Sequence, residues 1–376
     1  MPSPALSEVE KCLSDAFDVS VTIASWNQVV PWSVARCELG DPAPAQGMPG
    51  SVIVKWLREG PTDFRTDPQQ LCTERAALEF LADLGVELAP RLLASDLVAG
   101  FLVLEDLSPR VPLADLIRRD GPSAAAEALL LFARSLGELN AATSGHADAY
   151  YARRRTHGPV DPQVERLRFV GRAVDDETRR LLEALVVPMP GRAEREWADV
   201  LAAMSDPGPF LAFSNGDAGS NNFLVHDDDG RLTDFESAGF RHAVTDAAGL
   251  AVPGPMWITV SDPVGTGLED AYRAALCRAV PEAADDRVFG HAMAAACLVM
   301  GLERFGGFTR VDARPAGDDS RVQRIFTLEL AADTAERHRC YPHLTGWMRE
   351  VAQMLRRRWK DADVDLADYP PYTPRT

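Results

Sequence analysis

The sequence predicts an α+β fold in which a small antiparallel sheet comes first and a larger, mostly helical part follows. Five short apolar runs near the N-terminus have the composition and alternation of strands. They span residues 19–24, 32–39, 51–57, 89–94 and 101–104. Beyond residue 107 the apolar side chains recur at helical spacing instead. We therefore expect two domains, residues 1–107 and residues 108–376.

Helical periodicity marks the remaining elements of both parts. Residues 5–17 form a short leading helix, and residues 70–84 form a second helix that Gly85 closes as a C-cap. In the larger part the predicted helices span 112–119, 123–139, 175–185, 192–204, 267–281, 285–306, 321–338 and 343–361. A basic cluster at 150–155 is interpreted as the solvated face of a helix, with an insertion near the substrate as the alternative.

Composition and charge restrict the class of partner. The chain has 376 residues and a formal net charge of −17. Nucleic acids and anionic membranes bind basic surfaces, so neither is expected as a partner. The acidic balance suits a cationic small molecule, and it equally suits plain solubility. Because the six cysteines have no paired spacing and neither a signal peptide nor a membrane-spanning run is recognisable, we expect a cytoplasmic protein.

Three polar residues stand at fixed spacing between short apolar runs in the segment 210–236. Asp217 follows a strand-like run and a glycine, and Asn222 comes five residues later. Asp234 follows a predicted hairpin with its turn at Asp229-Gly230. Such a trio suits phosphoryl transfer, in which a hydroxyl loses a proton and Mg²⁺ on hard oxygen ligands balances the phosphate charge. Asp217 is the candidate base, and Asn222 and Asp234 are the candidate metal ligands.

The acidic run 227–229 competes with this trio as a source of ligands. Acidic residues between two short strands are typical of a solvated turn, so the run is interpreted as a hairpin tip. Likewise, His338, Cys340 and His343 lack a fourth ligand at matching spacing, so a zinc site is not predicted.

A lysine and a glutamate in the N-terminal part are candidates for binding a nucleotide. Lys55 ends the run Val52-Ile53-Val54-Lys55, which matches a pattern that places a lysine on the α- and β-phosphates. A carboxylate on the following helix is expected to hold that lysine in place, with Glu74 and Glu79 as the candidates and solvation of both as the alternative. No glycine-rich loop joins the first two strands.

The segments Asn215-Gly216-Asp217 and Asp234-Phe235-Glu236, with Asn222 between them, resemble the aminoglycoside phosphotransferase and choline kinase family. In that family the motif is His-Gly-Asp, then asparagine, then aspartate, an aromatic residue and glutamate. Asn215 stands at the family's histidine, a structural support position, so we expect altered support of the loop and not loss of the chemistry. The resemblance covers residues 20–360 and implies a two-lobed protein-kinase-like fold, with a five-stranded antiparallel sheet and one helix in the N-terminal lobe and a mostly helical C-terminal lobe.

The resemblance implies a hinge between the lobes at 102–108, where an apolar strand ends in Glu105-Asp106-Leu107. It favours Glu74 over Glu79 as the partner of Lys55, because Glu74 precedes the apolar run 76–78. By the same resemblance, Ser33 or nearby backbone amides are the candidates for contact with the phosphates.

The resemblance also implies further site residues. Nucleotide and Mg²⁺ are expected in the cleft between the lobes, with the backbone from Val103 to Glu105 on the adenine edge and Ile53 and Leu102 as walls. Asp246 is expected to brace the catalytic loop as structural support. The C-terminal helices are expected to form the acceptor pocket, where the sequence does not separate four acidic candidates. They are Glu236, Asp262, Glu269 and Asp270.

Together these features predict an enzyme, an ATP- or GTP-dependent phosphotransferase that moves the γ-phosphate to a hydroxyl of a small molecule. Aminoglycosides and other antibiotics are among the candidate acceptors. Two alternatives stay open. One is a non-catalytic nucleotide-binding protein of the same fold, favoured by Asn215 and the missing glycine loop. The other is a metal-dependent phosphohydrolase that uses the same acidic residues.

Overall fold

Five antiparallel strands form one sheet at the N-terminal end of the chain, as predicted. They are β1 (Ile23–Val30), β2 (Val34–Leu39), β3 (Ser51–Trp56), β4 (Leu92–Asp96) and β5 (Phe101–Glu105). Their order across the sheet is β1-β2-β3-β5-β4, so β3 lies at the centre. The computed structural model describes residues 3–30, 33–40, 49–58, 66–121, 123–172, 176, 180, 183–184, 187–252, 267–303 and 308–364.

The first strand differs most from its predicted bounds. β1 runs from Ile23 to Val30, whereas the alternation predicted a strand over residues 19–24. Asn27 has a low strand propensity, yet it pairs with Arg36 of β2. Pairing with the neighbouring strand therefore outweighs local composition in this region.

Different helices cover the two faces of this sheet. They are α1 (Leu6–Phe17) and α2 (Gln69–Asp83). The first packs against a core that includes Val54 and Val103, while the second covers the opposite face. Side chains alternate along a strand, so Lys55 points away from α1 and lies across from Leu102 on β5. The register thus places the lysine between the sheet and α2.

The rest of the chain is mostly helical, which confirms the predicted α+β class. The helices are α3 (Leu113–Asp120), α4 (Ala126–Thr143), α5 (Ala147–Thr156), α6 (Pro162–Arg172), α7 (Gly191–Ser205), α8 (Val244–Ala251), α9 (Leu268–Leu276), α10 (Asp286–Glu303), α11 (Phe308–Asp312), α12 (Asp319–Arg337) and α13 (Pro342–Arg358). The helix predicted at 175–185 falls largely outside the described residues. The division into two domains at residue 107 stays a prediction.

Two small sheets lie among these helices, and their strands flank Asp217, Asn222 and Asp234. The strands are β6 (Val111–Pro112), β7 (Leu211–Ser214), β8 (Phe223–His226), β9 (Asp229–Leu232) and β10 (Gly239–His242). β8 pairs with β6 and β9, while β7 pairs with β10. The segments that precede and follow Asp234 therefore belong to different sheets.

The hairpin between β8 and β9 turns two residues earlier than predicted. Asp229 is the first residue of β9, where it pairs with His226 and forms an ion pair with Arg110. Gly230 lies beneath the ring of Phe223, and a Cβ atom there would be 2.1 Å from the ring. This glycine is required for close packing, and not for the turn.

No described helix combines the length and the apolar content needed to cross a membrane. The six cysteines are all free thiols. Burial raises the pKa of the Cys37 thiol to about 12, so this group stays protonated and packs as a core side chain.

A buried histidine at the end of β10 gives the protein a defined sensitivity to acid. The ring of His242 stacks on Phe210 with 5.2 Å between ring centroids, and the residue is 5% exposed. Burial lowers the pKa of His242 from 6.5 to about 3. Between these two values the unfolded chain binds a proton that the folded protein does not. The contribution of this residue to stability is therefore complete above pH 6.5 and is lost as the pH falls towards 3.

We expect His242→Phe to remove this part of the pH dependence. One proton corresponds to ~1.4 kcal/mol per pH unit, so the free energy of unfolding of the variant should fall less steeply between pH 6 and pH 4 by about that slope. Urea unfolding at a series of pH values measures it. His343→Phe replaces an exposed histidine and serves as the matched control. Identical pH slopes for His242→Phe and the unaltered protein would contradict the prediction.

Candidate active site

Lys55 lies at the centre of a cluster of three carboxylates. Its Nζ atom is 2.7 Å from Oε2 of Glu74, 2.7 Å from Oδ1 of Asp234 and 2.9 Å from Oε2 of Glu236. The lysine is 7% exposed and Glu74 is 2% exposed. The structure thus joins β3, α2 and the segment after β9 at one ammonium group.

The crowding of charges shifts the pKa values of Lys55, Glu74 and Asp234. Burial alone lowers the pKa of Lys55, but the charges of Asp234, Glu74 and Glu236 outweigh it and hold the pKa well above its ordinary value. Burial raises the pKa of Glu74 against the attraction of Lys55, and the two other carboxylates raise it further. Lys55 lowers the pKa of Asp234, which therefore stays ionised at neutral pH.

Of the two glutamates considered on α2, Glu74 is the one that contacts Lys55. Glu79 lies five residues further along the helix and points to another side, where it binds Arg75, Arg153 and His157. The two carboxylates lie on different sides of the helix, because five residues correspond to about 1.4 turns.

Asp234 occupies a strained backbone conformation between β9 and a short 3₁₀ turn, Phe235–Ser237. Its φ of 57° and ψ of 67° are in the left-handed region, which residues other than glycine rarely adopt. Phe235 is fully buried and stacks on Phe213, with 6.4 Å between ring centroids. The buried ring fixes the turn, and the left-handed residue before it directs its carboxylate to Lys55.

The loop that carries Asp217 packs tightly against this turn. Gly216 has a φ of +82°, and a Cβ atom at this position would lie 2.1 Å from the carbonyl oxygen of Ser237. The guanidinium group of Arg241 donates to the same carbonyl at 2.7 Å. The loop and the turn therefore meet backbone to backbone, and Asp217 remains exposed at the surface of the site.

Hydrogen bonds of Asn222 connect Asp217 to the residue that precedes Asp234. Its Nδ2 donates to the side-chain Oδ2 and to the backbone oxygen of Asp217, both at 3.0 Å. Its own carbonyl oxygen accepts the N–H of Thr233 at 2.8 Å. Thr233 directly precedes Asp234, so these bonds bring the segments of Asp217, Asn222 and Asp234 together in one site.

Asn215, at the position of the family histidine, is fully buried beneath the loop. Its Oδ1 accepts the backbone N–H of Asp217 at 3.3 Å, and its Nδ2 donates to the carbonyl oxygen of Thr233 at 3.1 Å. The amide thus links the loop of Asp217 to the residue before Asp234.

Asp246 lies behind the same loop, on α8. Its Oδ1 accepts the hydroxyl of Ser214 at 2.6 Å, and that hydroxyl accepts the N–H of Gly216 at 2.9 Å. Its Oδ2 accepts Nδ2 of Asn140 at 3.2 Å. Burial raises the pKa of Asp246, opposed by these hydrogen bonds and by the charge of Arg241. The carboxylate is connected to the loop through two successive hydrogen bonds.

Asp234 and Asn222 carry oxygen atoms of the type that Mg²⁺ binds. The carboxylate of Asp234 is 45% exposed, and the amide oxygen of Asn222 accepts a hydrogen bond from Asn221 at 2.7 Å. Mg²⁺ takes hard oxygen ligands and is bound by one or two carboxylates together with phosphate oxygens and water. No group of three His, Cys, Asp or Glu side chains suited to a metal occurs in the described part of the chain. A Mg²⁺ ion held by Asp234 and Asn222 would need further oxygen ligands, which phosphate or water can supply.

The remaining predicted nucleotide contacts lie at the edges of the cluster. The carbonyl oxygen of Ser33 accepts the N–H of Trp56 at 3.0 Å, which places Ser33 beside the end of β3 that carries Lys55. The side chain of Val103 packs towards α1, on the face away from Lys55, so it does not line the cleft. The N–H of Glu105 donates to the carbonyl oxygen of Arg91 at 2.9 Å.

The acidic candidates for the acceptor pocket that the structure describes have different surroundings. Glu236 contacts Lys55, a position that its place two residues after Asp234 did not reveal. Glu269 forms ion pairs with Arg337 and His338, while Asp270 is exposed. Asp262 lies outside the described residues.

Comparison with known proteins identifies a family and a fold for this chain. The sequence profile of the phosphotransferase enzyme family matches residues 57–288. The structure is similar to a choline/ethanolamine kinase family protein from Mesorhizobium loti, with a TM-score of 0.52 and 15% identity over 92% of this chain and 99% of that chain. Choline kinase LicA from Streptococcus pneumoniae is similar with a TM-score of 0.44 and 13% identity, over 87% of this chain and 98% of that chain.

Aminoglycoside phosphotransferase APH(4)-Ia is similar with a TM-score of 0.45 and 15% identity, over 93% of this chain and 99% of that chain. No curated protein matches the chain. The likeness to the Mesorhizobium loti protein supports the predicted two-lobed, kinase-like fold. Since the family profile covers more than half of the sequence, the chain belongs to the phosphotransferase enzyme family.

Proposed function

We propose that this chain is a small-molecule kinase that transfers the γ-phosphate of ATP or GTP to a hydroxyl group. The observation that carries the proposal is that Nζ of Lys55 lies 2.7 Å from Oε2 of Glu74 and 2.7 Å from Oδ1 of Asp234. This cluster lies next to the loop of Asp217 and Asn222. A buried cation held by carboxylates from two elements is the arrangement that positions a lysine for nucleotide phosphates.

The nucleotide end of the site is assigned as follows. Lys55 binds the α- and β-phosphates, and Glu74 keeps its ammonium group in place. Asp234 and Asn222 hold Mg²⁺, which balances the charge of the phosphates when bound. Ser33 and the backbone near Glu105 stay predictions for the rest of the nucleotide.

Asp217 acts as the base for the acceptor. Its exposed carboxylate is accessible to a hydroxyl group, and the bond from Asn222 Nδ2 at 3.0 Å fixes its orientation. The carboxylate takes the proton that the hydroxyl loses as it attacks the phosphate. Asn215 and Asp246 support the loop, through Thr233 and Ser214 respectively.

The acceptor is proposed to be a small hydroxylated molecule, with cationic compounds as the first class to test. The net charge of −17 favours a cation. Proteins with similar structures are named as kinases of choline or ethanolamine and of aminoglycosides. Aminoglycosides, choline-like amines and amino sugars are therefore the first acceptors to compare.

A panel assay with radiolabelled MgATP tests the proposal. We expect label to move to at least one hydroxylated acceptor, at a rate that depends on the acceptor. Steady release of inorganic phosphate that is independent of every acceptor would indicate a phosphohydrolase. Binding of MgATP with neither transfer nor release would indicate a non-catalytic nucleotide-binding protein.

A further inference from the structure

A buried arginine of α5 binds the N-terminal half of α2. Arg154 is 2% exposed, so the interpretation of the basic cluster as a solvated helix face is wrong at this position. Its Nη2 donates to Oε1 of Gln69 at 2.7 Å, and its Nε donates to the hydroxyl of Thr73 at 3.2 Å. Arg154 therefore crosslinks two residues one helical turn apart, immediately before Glu74.

The same helix binds the C-terminal half of α2 as well. Glu79 accepts Nη1 of Arg153 at 3.2 Å, and its carboxylate lies 2.8 Å from Nε2 of His157, the residue that directly follows α5. Phe80 of α2 packs edge-on against Tyr150 of α5, with 5.5 Å between ring centroids. Contacts along both halves leave α2 little freedom to rotate or slide.

Helix α5 is in turn fixed to the segment that follows Asp234. The hydroxyl of Tyr150 donates to the carbonyl oxygen of Ala238 at 3.3 Å, and the hydroxyl of Tyr151 accepts the N–H of Phe240 at 3.3 Å. Both bonds are buried. Helix α5 therefore connects α2 to the segment that follows Asp234.

We propose that Arg154 is a positioning residue of the nucleotide site, which holds α2 so that Glu74 meets Lys55 before a nucleotide binds. The inference rests on the proposed function, in which Lys55 binds the nucleotide phosphates and Glu74 holds the ammonium group of Lys55 in place. An arginine is required, since one planar guanidinium group reaches Gln69, Thr73 and the Gly158 carbonyl at once.

Arg154→Lys tests this role, because it keeps the positive charge but removes the planar guanidinium group that makes the three hydrogen bonds. We expect MgATP to bind about 10-fold more weakly to Arg154→Lys, measured by isothermal titration calorimetry. Arg155→Lys changes the exposed neighbouring arginine and should bind MgATP like the unaltered protein.

A double-variant cycle with Glu74→Gln separates positioning from general destabilisation. If Arg154 acts through Glu74, the double variant should bind MgATP no more weakly than Glu74→Gln alone. Unchanged affinity in Arg154→Lys, or losses that multiply in the double variant, would overturn the inference. Failure of the unaltered protein to bind MgATP is a different result, which overturns the proposed function and the inference with it.

A smaller change decides the matter if Arg154→Lys does not fold. Thr73→Val removes the hydroxyl that accepts the bond from Arg154 Nε and keeps the shape of the side chain. We expect MgATP to bind about 3-fold more weakly to Thr73→Val, and Thr73→Ser to restore the affinity. Equal affinity in Thr73→Val and the unaltered protein would overturn the inference.

Discussion

Phosphate transfer is expected to fall about 10²- to 10⁴-fold when Asp217 is replaced by asparagine, while MgATP still binds. The amide oxygen of the variant still accepts the 3.0 Å bond from Asn222, so the loop keeps its connection to Thr233. The amide does not take up a proton at neutral pH, so the hydroxyl of the acceptor loses its base. The measurement is kcat at saturating acceptor, together with the Kd for MgATP.

The control for this change is Asp228→Asn, in the exposed turn between β8 and β9. It removes one negative charge close in sequence and should leave kcat within twofold of the unaltered protein, as is usual for surface changes away from the site. Full transfer activity in Asp217→Asn would show that the base is another group.

Replacing Gly216 by alanine is expected to damage both stability and transfer. The new Cβ atom would lie 2.1 Å from the carbonyl oxygen of Ser237, in a backbone conformation with φ of +82°. We expect the free energy of unfolding to fall by ~2–6 kcal/mol from strain and overpacking together. Because Asp217 follows directly, a shift of the loop by about 1 Å should lower kcat at least ~10²-fold.

Gly145→Ala separates the clash from the backbone strain. Gly145 has a φ of +81°, and a Cβ atom there meets nothing within 4 Å. This control should lose only the ~1–3 kcal/mol of left-handed strain and should keep its transfer activity. Urea unfolding and kcat measured on both variants decide the case. If Gly216→Ala loses no more stability than Gly145→Ala, the close approach to Ser237 has no energetic role.

Part of the site could be predicted from local patterns and part from the family resemblance. The strand that carries Lys55 and the helix that carries Glu74 are consecutive elements, and only one side of the strand faces that helix. Local patterns did not separate Glu74 from Glu79, whereas the resemblance did. The spacing of Asp217, Asn222 and Asp234 fits a loop and a hairpin, which the structure brings together through Thr233.

Other parts depend on contacts between distant segments, which sequence patterns do not reveal. The third carboxylate on Lys55, from Glu236, results from the 3₁₀ turn after the left-handed Asp234. The burial of Arg154 depends on α2, about 80 residues away in the chain, so a run of three arginines gave no sign of it. The turn assigned to Asp229 and Gly230 was misplaced because a glycine beneath an aromatic ring has the same local signature as a glycine in a turn.

The ion pairs of Lys55 also connect parts of the molecule that are distant in sequence. Lys55 belongs to the sheet, whereas Asp234 and Glu236 belong to the segment between β9 and β10. Glu74 lies on α2, which packs on the sheet and is also held by Arg154 of α5. Separating the sheet from the segment after β9 would therefore pull one ammonium group from at least two carboxylates. The charges that the proposed function assigns to phosphate binding thus also oppose this separation.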